Sequence, residues 1–193
     1  MMVMVQPKSR EEIESHLRGK GDFVQIDYLD RSLRYSLGVD LKKFVMVRLA
    51  GLYEKVNMVT EAAKYYSNVA ELSTTFSEKR ELFMKEFECY VRANIFARSD
   101  IALKKAMNEG NVRETKELKE RVKGVYLRVA QEHDSKNRKG QALHFYERVL
   151  QEGLSEGERQ QVKMRLLALY RDLGKIREYG ILQRELGINV KGF

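Results

Sequence analysis

LAGLYEKVNMVTEAAKYYSNVAEL, residues 49–72, decides the fold. Val45, Leu49, Leu52, Tyr53 and Val56 fall at i, i+4, i+7, i+8 and i+11, which is one face of a helix. Ala62, Ala63, Tyr66, Val69 and Ala70 repeat that spacing further on. Between them stands Asn57, a residue type that tolerates the left-handed backbone of a tight helix–turn–helix connection. The stretch therefore predicts two antiparallel helices.

The same spacing recurs. Ala50, Tyr53, Asn57, Ala62, Tyr66 and Val69 have counterparts eighty positions on in Ala130, His133, Asn137, Ala142, Tyr146 and Val149. Halfway, at an offset of forty, stand Tyr90, Ala93, Ala102 and Ala106, with Ala97 at the expected turn, a weaker copy. Leu167, Tyr170, Gly174 and Tyr179 make a last one, thirty-seven positions beyond the third. A period of about forty residues signals stacked helix pairs, each covering its neighbour's apolar side. Small residues such as Ala50 and Ala62 let two backbones approach, and the aromatic residues fill the space beside them.

The remaining chain agrees with an all-α class. Its 193 residues are 43% apolar and 33% charged, enough for a sizeable core or a stack of small ones. The one proline, Pro7, lies outside every helical segment, and no alternating strand pattern intervenes. Helix starts are expected at Ser9 with Glu12, at Asp22, Asp40 and Ser99, at Asn111 with Glu114, and at Ser155 with Glu158. About ten helices result. Residues 1–38 miss the forty-residue frame and are expected to form N-terminal capping helices, with residues 39–193 as about four helix pairs, all packed as one domain.

The pattern of a small residue, x2, an aromatic, x8, Ala, x3, an aromatic, x2 and a small or branched residue resembles the tetratricopeptide repeat. LALYRDLGKIREY, residues 167–179, is similar to that repeat's first helix, turn and second-helix start. The resemblance covers roughly residues 40–186, in a long-unit variant that exceeds the usual length of about thirty-four and lacks the customary closing proline. It is similar in architecture to the adaptor proteins of vesicle fusion. It implies a right-handed superhelical stack of antiparallel helix pairs, a TPR-like α-solenoid, whose concave face holds a peptide or helix of a partner. The lysine–asparagine clamp by which some members grip a terminal carboxylate is missing, since Val47, Gly51, Leu127, Gln131, Met164 and Ala168 occupy those positions.

A different ladder stands at the same register: Arg48, Arg128 and Arg165, with Glu88 in the weak copy. Arginines in register can fork to carboxylates or phosphates of an extended acidic ligand, or pair with glutamates on a solvated helix face. Together with Gln131 and Arg171 they are the expected partner-binding residues. Charge is uneven: residues 1–100 carry 16 Lys/Arg against 15 Asp/Glu, and residues 101–193 carry 20 against 13, giving +1 and +7 of the total +8. Such a basic half attracts acidic protein, RNA or an anionic membrane, so an RNA- or ribosome-associated factor stays open as a second reading. A third is a self-associating structural protein, a homodimer for example, in which the last pair stacks on a second copy.

Catalysis, cofactor and metal are not expected. His16, His133 and His144 are isolated, Arg18-Gly-Lys-Gly21 is too short for a phosphate loop, and Cys89 has no basic activator nearby in sequence. The lone cysteine precludes an internal disulfide. The start, MMVMVQP, lacks the apolar core of a signal peptide, and no later run is long enough for membrane insertion, so a cytoplasmic protein is expected.

Overall fold

The computed structural model describes residues 6–188; the MMVMV segment examined for a leader lies outside them. Ten helices and no strands occur among the described residues. They fall into two compact units, residues 1–111 and 112–193. The N-terminal unit holds α1 (Arg10–Leu17), α2 (Asp22–Ser32), α3 (Val39–Lys55), α4 (Val59–Leu72), α5 (Phe76–Arg92) and α6 (Phe96–Asn108). The C-terminal unit holds α7 (Val112–Ser135), α8 (Lys139–Val149), α9 (Glu156–Asp172) and α10 (Ile176–Glu185).

Four turns of one geometry define the repeat. Asn57, Asn94, Asn137 and Gly174 each have positive φ, between 55° and 67°. Around Asn57, the Met58 N–H donates to the Tyr53 carbonyl at 2.8 Å and the Asn57 N–H to the Glu54 carbonyl at 3.0 Å. The same pair of bonds closes the other three: Ile95 to Tyr90 and Asn94 to Val91, Arg138 to His133 and Asn137 to Asp134, Lys175 to Tyr170 and Gly174 to Arg171. This is the Schellman closure, which satisfies the last carbonyls of a helix through one left-handed residue. Asn and Gly reach that conformation at low cost, which explains their placement.

These turns reset the register of the weak copy. Its turn residue is Asn94 rather than the expected Ala97, so the steps between turns are 37, 43 and 37 residues rather than a uniform forty. Helices α3, α5 and α9 each have 17 residues, whereas α7 has 24, and the long middle step falls where α7 begins early. Nineteen positions before the turn, Gly38, Thr75 and Ser155 are N-caps, but the equivalent Leu118 is buried inside α7. Leucine, unlike glycine, threonine or serine, is strongly disfavoured at an N-cap, and the helix runs through.

Of the expected helix starts, Ser9 caps α1 through the Glu12 N–H, and Ser155 with Glu158 forms a full capping box. Asp22 and Asp40 lie in the first turns of α2 and α3, behind Gly21 and Gly38 as N-caps. Ser99 starts nothing: it is buried within α6, where its hydroxyl donates to the Phe96 carbonyl at 2.8 Å. A buried hydroxyl must find an acceptor, and the preceding turn supplies it.

Within the N-terminal unit α2 packs on α3, α3 on α4, α4 on α5 and α5 on α6. The register continues into α1 and α2. At a period of forty residues 1–38 miss the frame, but at thirty-seven Tyr53 and Tyr65 map onto His16 and Tyr28. The Tyr53 and Tyr65 rings stack at 5.7 Å between centroids, and those of His16 and Tyr28 at 3.9 Å. Asp30 of α2 accepts from the Tyr53 hydroxyl at 2.9 Å and from Tyr65 at 2.7 Å, tying this first hairpin to the next.

The C-terminal unit repeats the arrangement with α7 on α8, α8 on α9 and α9 on α10. His133 stacks on Phe145 at 5.4 Å in the place of the Tyr53–Tyr65 pair, and Tyr170 donates to Glu147 at 3.0 Å as Tyr53 does to Asp30. Ala50, Ala62, Ala130 and Ala142 are fully buried at the helix crossings. There any larger side chain would push the backbones apart.

Candidate partner-binding face

The expected ladder has a rung in each of the four hairpins from α3 to α10 once the turns set the register. Nine positions before Asn57, Asn94, Asn137 and Gly174 stand Arg48, Lys85, Arg128 and Arg165. Lys85 therefore replaces Glu88, which the forty-residue frame had placed there. All four side chains are exposed.

Two rungs are held in the same way. Arg48 donates side-on from Nε and Nη2 to the two carboxylate oxygens of Glu14 on α1, both at 3.0 Å. Arg165 makes the same Nε and Nη2 fork to Asp134 on α7. That fork, chiefly through its hydrogen bonds, raises the Arg165 pKa further above its usual value. A side-on fork uses one edge of a guanidinium and leaves the donors on Nη1 directed elsewhere. Lys85 stands over the Tyr66 ring at 5.1 Å. Arg128 and Gln131 are exposed on α7, and Arg171, on α9, lies 3.5 Å from Asp172. Within the C-terminal unit Arg165 and Asp134 thus bring the α9 and α7 parts of this face side by side, with Met164 half exposed next to Arg165. Within the N-terminal unit Arg48 and Lys85 stand on α3 and α5, which the pairs Arg92 with Glu54 at 3.0 Å and Lys43 with Glu78 at 2.7 Å join.

The acid that holds a rung has a second duty that sequence reading missed. Tyr146 hydrogen-bonds Asp134, so the carboxylate that orients Arg165 also joins the two helices of its own hairpin. In the N-terminal unit Glu54, at the equivalent position, accepts from the Tyr66 hydroxyl at 2.6 Å and from Arg92 of the next hairpin at 3.0 Å, although Arg92 is not a rung. Burial, with the neighbouring carboxylate second, pushes both tyrosine pKa values up. The signal was present in the sequence as an acid three positions before the turn and a tyrosine nine after it.

Cys89 and His133 both lie buried. Burial pushes the Cys89 thiol up to about 12, so it is protonated at neutral pH and a poor nucleophile. His133 is buried with Nδ1 unpartnered, and burial lowers its pKa, keeping it neutral. Among the described residues no group of three or more His, Cys, Asp or Glu is placed to hold a metal ion, and no helix is long and apolar enough to cross a membrane.

The repeated turns and crossings define an all-α protein of stacked helical hairpins. No protein-family model matches the chain, and no curated protein matches it in sequence. Among solved structures, the chain is similar to BtubC (BKLC) from P. vanneervenii, at 18% identity over 92% of this chain and 78% of that one, with a TM-score of 0.41. It is also similar to the MamA protein, at 15% identity over 91% of this chain and 86% of that one, with a TM-score of 0.43. At such scores neither likeness carries an argument, and the assignment rests on the internal repeat.

Proposed function

We propose that this chain is a non-enzymatic scaffold or adaptor that holds a peptide or helix of a partner protein along the first helices of its hairpins. The observation that supports this reading is a pair of basic rungs at one register in each unit, Arg48 and Lys85 in one and Arg128 and Arg165 in the other, one rung of each pair clamped side-on. A clamped guanidinium has lost its rotamer freedom before any ligand arrives, so less entropy is lost on binding. Because Glu14 and Asp134 neutralise their arginines, those rungs suit peptide carbonyls as well as carboxylates. Gln131, three residues after Arg128 on α7, belongs to the same face, whereas Arg171 lies six residues after Arg165 and turns away from it towards the hairpin tip; an acidic segment is the preferred ligand.

Selection of peptides from a displayed library against the whole chain, followed by titration of a selected peptide, tests this. Arg128→Glu with Arg165→Glu should weaken binding about tenfold or more, the value of one or two charge-assisted hydrogen bonds. Equal affinity in wild type and double variant, with both folded, would remove the face from consideration.

A further inference from the structure

The turn edge of the C-terminal unit has a character that the peptide-binding reading does not use. Directly after the left-handed residue the N-terminal unit has Met58 and Ile95, whereas the C-terminal unit has Arg138 and Lys175. Lys136, Lys139, Arg171 and Arg177 crowd the same two turns, against Asp134, Asp172 and Glu178, with Lys136 paired to Glu132 at 2.6 Å. Lys139 of the α7–α8 turn pairs with Asp172 beside the α9–α10 turn at 3.0 Å, which fixes the two tips next to one another. Arg138, Lys175 and Arg177 have no carboxylate partner among the described residues.

At the centre of these cations is apolar surface. Ile176, between Lys175 and Arg177 at the start of α10, is 83% exposed, and Leu173 in the same turn is 39% exposed. A branched aliphatic side chain on a hairpin tip does nothing for a phosphate backbone, where aromatic stacking would serve. It does suit entry into the boundary between lipid headgroups and acyl chains, where cations beside it meet negative charge.

We propose that the two hairpin tips of the C-terminal unit dock on an anionic lipid surface. Ile176 and Leu173 enter the interface, and Arg138, Lys175 and Arg177 contact the headgroups. The contact is peripheral, through the tips alone.

Cosedimentation of the whole chain with vesicles tests this, using phosphatidylcholine alone and phosphatidylcholine mixed with phosphatidylserine. Binding is expected only to the mixture and should fall as salt is raised. Arg138→Ala, Lys175→Ala and Arg177→Ala should each weaken it about fivefold, and the triple variant about a hundredfold. Ile176→Ser should weaken it about tenfold. The chain has no tryptophan, so Ile176→Trp supplies a single fluorophore whose emission should shift to the blue on the anionic vesicles and not on the neutral ones. Absence of binding to the mixture at low salt overturns the proposal, as does undiminished binding by a triple variant with wild-type circular dichroism. Tight RNA binding that depends on the three cations, without the fluorescence shift on vesicles, would reassign the edge to nucleic acid.

Discussion

Replacing Glu86 by leucine should stabilise the protein, and the repeat explains why. Eight positions before each turn residue stand Leu49, Glu86, Val129 and Leu166, all buried. Three are apolar, and the fourth is a carboxyl group that is 5% exposed. Its Oε2 has no hydrogen-bond partner, while Ser67 bonds the group and Lys105 is near enough to act through space. Leaving one oxygen unsatisfied costs about 1–3 kcal/mol, and a buried leucine gains about 1.5–3. Against these, the Ser67 bond is worth about 0.5–1.5 kcal/mol and the attraction to Lys105 is partly screened by solvent. Lys105 keeps Glu71 at 3.7 Å and the Phe83 ring at 5.0 Å. The balance favours Glu86→Leu by about 2 kcal/mol, near 4–8 °C in melting temperature for a chain of this size.

The pH dependence makes the test sharper. Burial, ahead of the nearby Glu71 charge, raises the Glu86 pKa above its ordinary value. The folded state therefore takes up the proton more readily than the unfolded state, and the penalty is full above the folded pKa and fades as pH falls towards the ordinary glutamate value. Urea titration of both proteins should show the largest gap at neutral pH and a smaller one near pH 5. An equal gap at both, or a less stable variant, would refute the reasoning that burial of an unpaired carboxyl governs this position.

Three further substitutions probe the register. Asn94→Ala should cost about 1–2 kcal/mol in denaturant titrations, because alanine resists the positive φ, whereas Asn94→Gly should be near neutral; equal costs would mean that the turn does not close as described. Tyr146→Ala should cost about 2–5 kcal/mol, since it empties a buried site and removes the Asp134 bond, and a wild-type melting curve would refute the packing. His133, whose pKa burial lowers, binds its proton more readily in the unfolded state. The protein should lose stability as pH falls below about 6.5. His133→Tyr, the residue found at that place in three other hairpins, should abolish that part of the acid loss when urea midpoints are compared at about pH 7 and about pH 5.

The architecture was legible because its constraints are local. An aromatic residue four before each turn, alanines at the crossings and Asn57, Asn137 or Gly174 in the turn all follow from one helix hairpin's own geometry. The α5–α6 hairpin was misplaced for a physical reason. Unequal steps of 37 and 43 average to forty, and a three-residue slip along a helix lands on the same face, so the wrong frame still gathered inward-facing residues such as Ala102 and Ala106. Only the backbone at Asn94 separates the two frames. The arginine rungs could be read from sequence, but their partners could not. Glu14 and Asp134 lie on earlier helices, more than thirty residues away from Arg48 and Arg165, and no spacing rule connects them.

The burial of Cys89 has a practical consequence. It is the chain's single thiol, 1% exposed and protonated at neutral pH, so maleimide reagents added briefly to the native protein will pass it by. Fluorophores or spin labels can be attached to cysteines engineered at the surface without first removing the native one. The spacing of the two units, and its response to a bound peptide, is thereby open to direct measurement in solution.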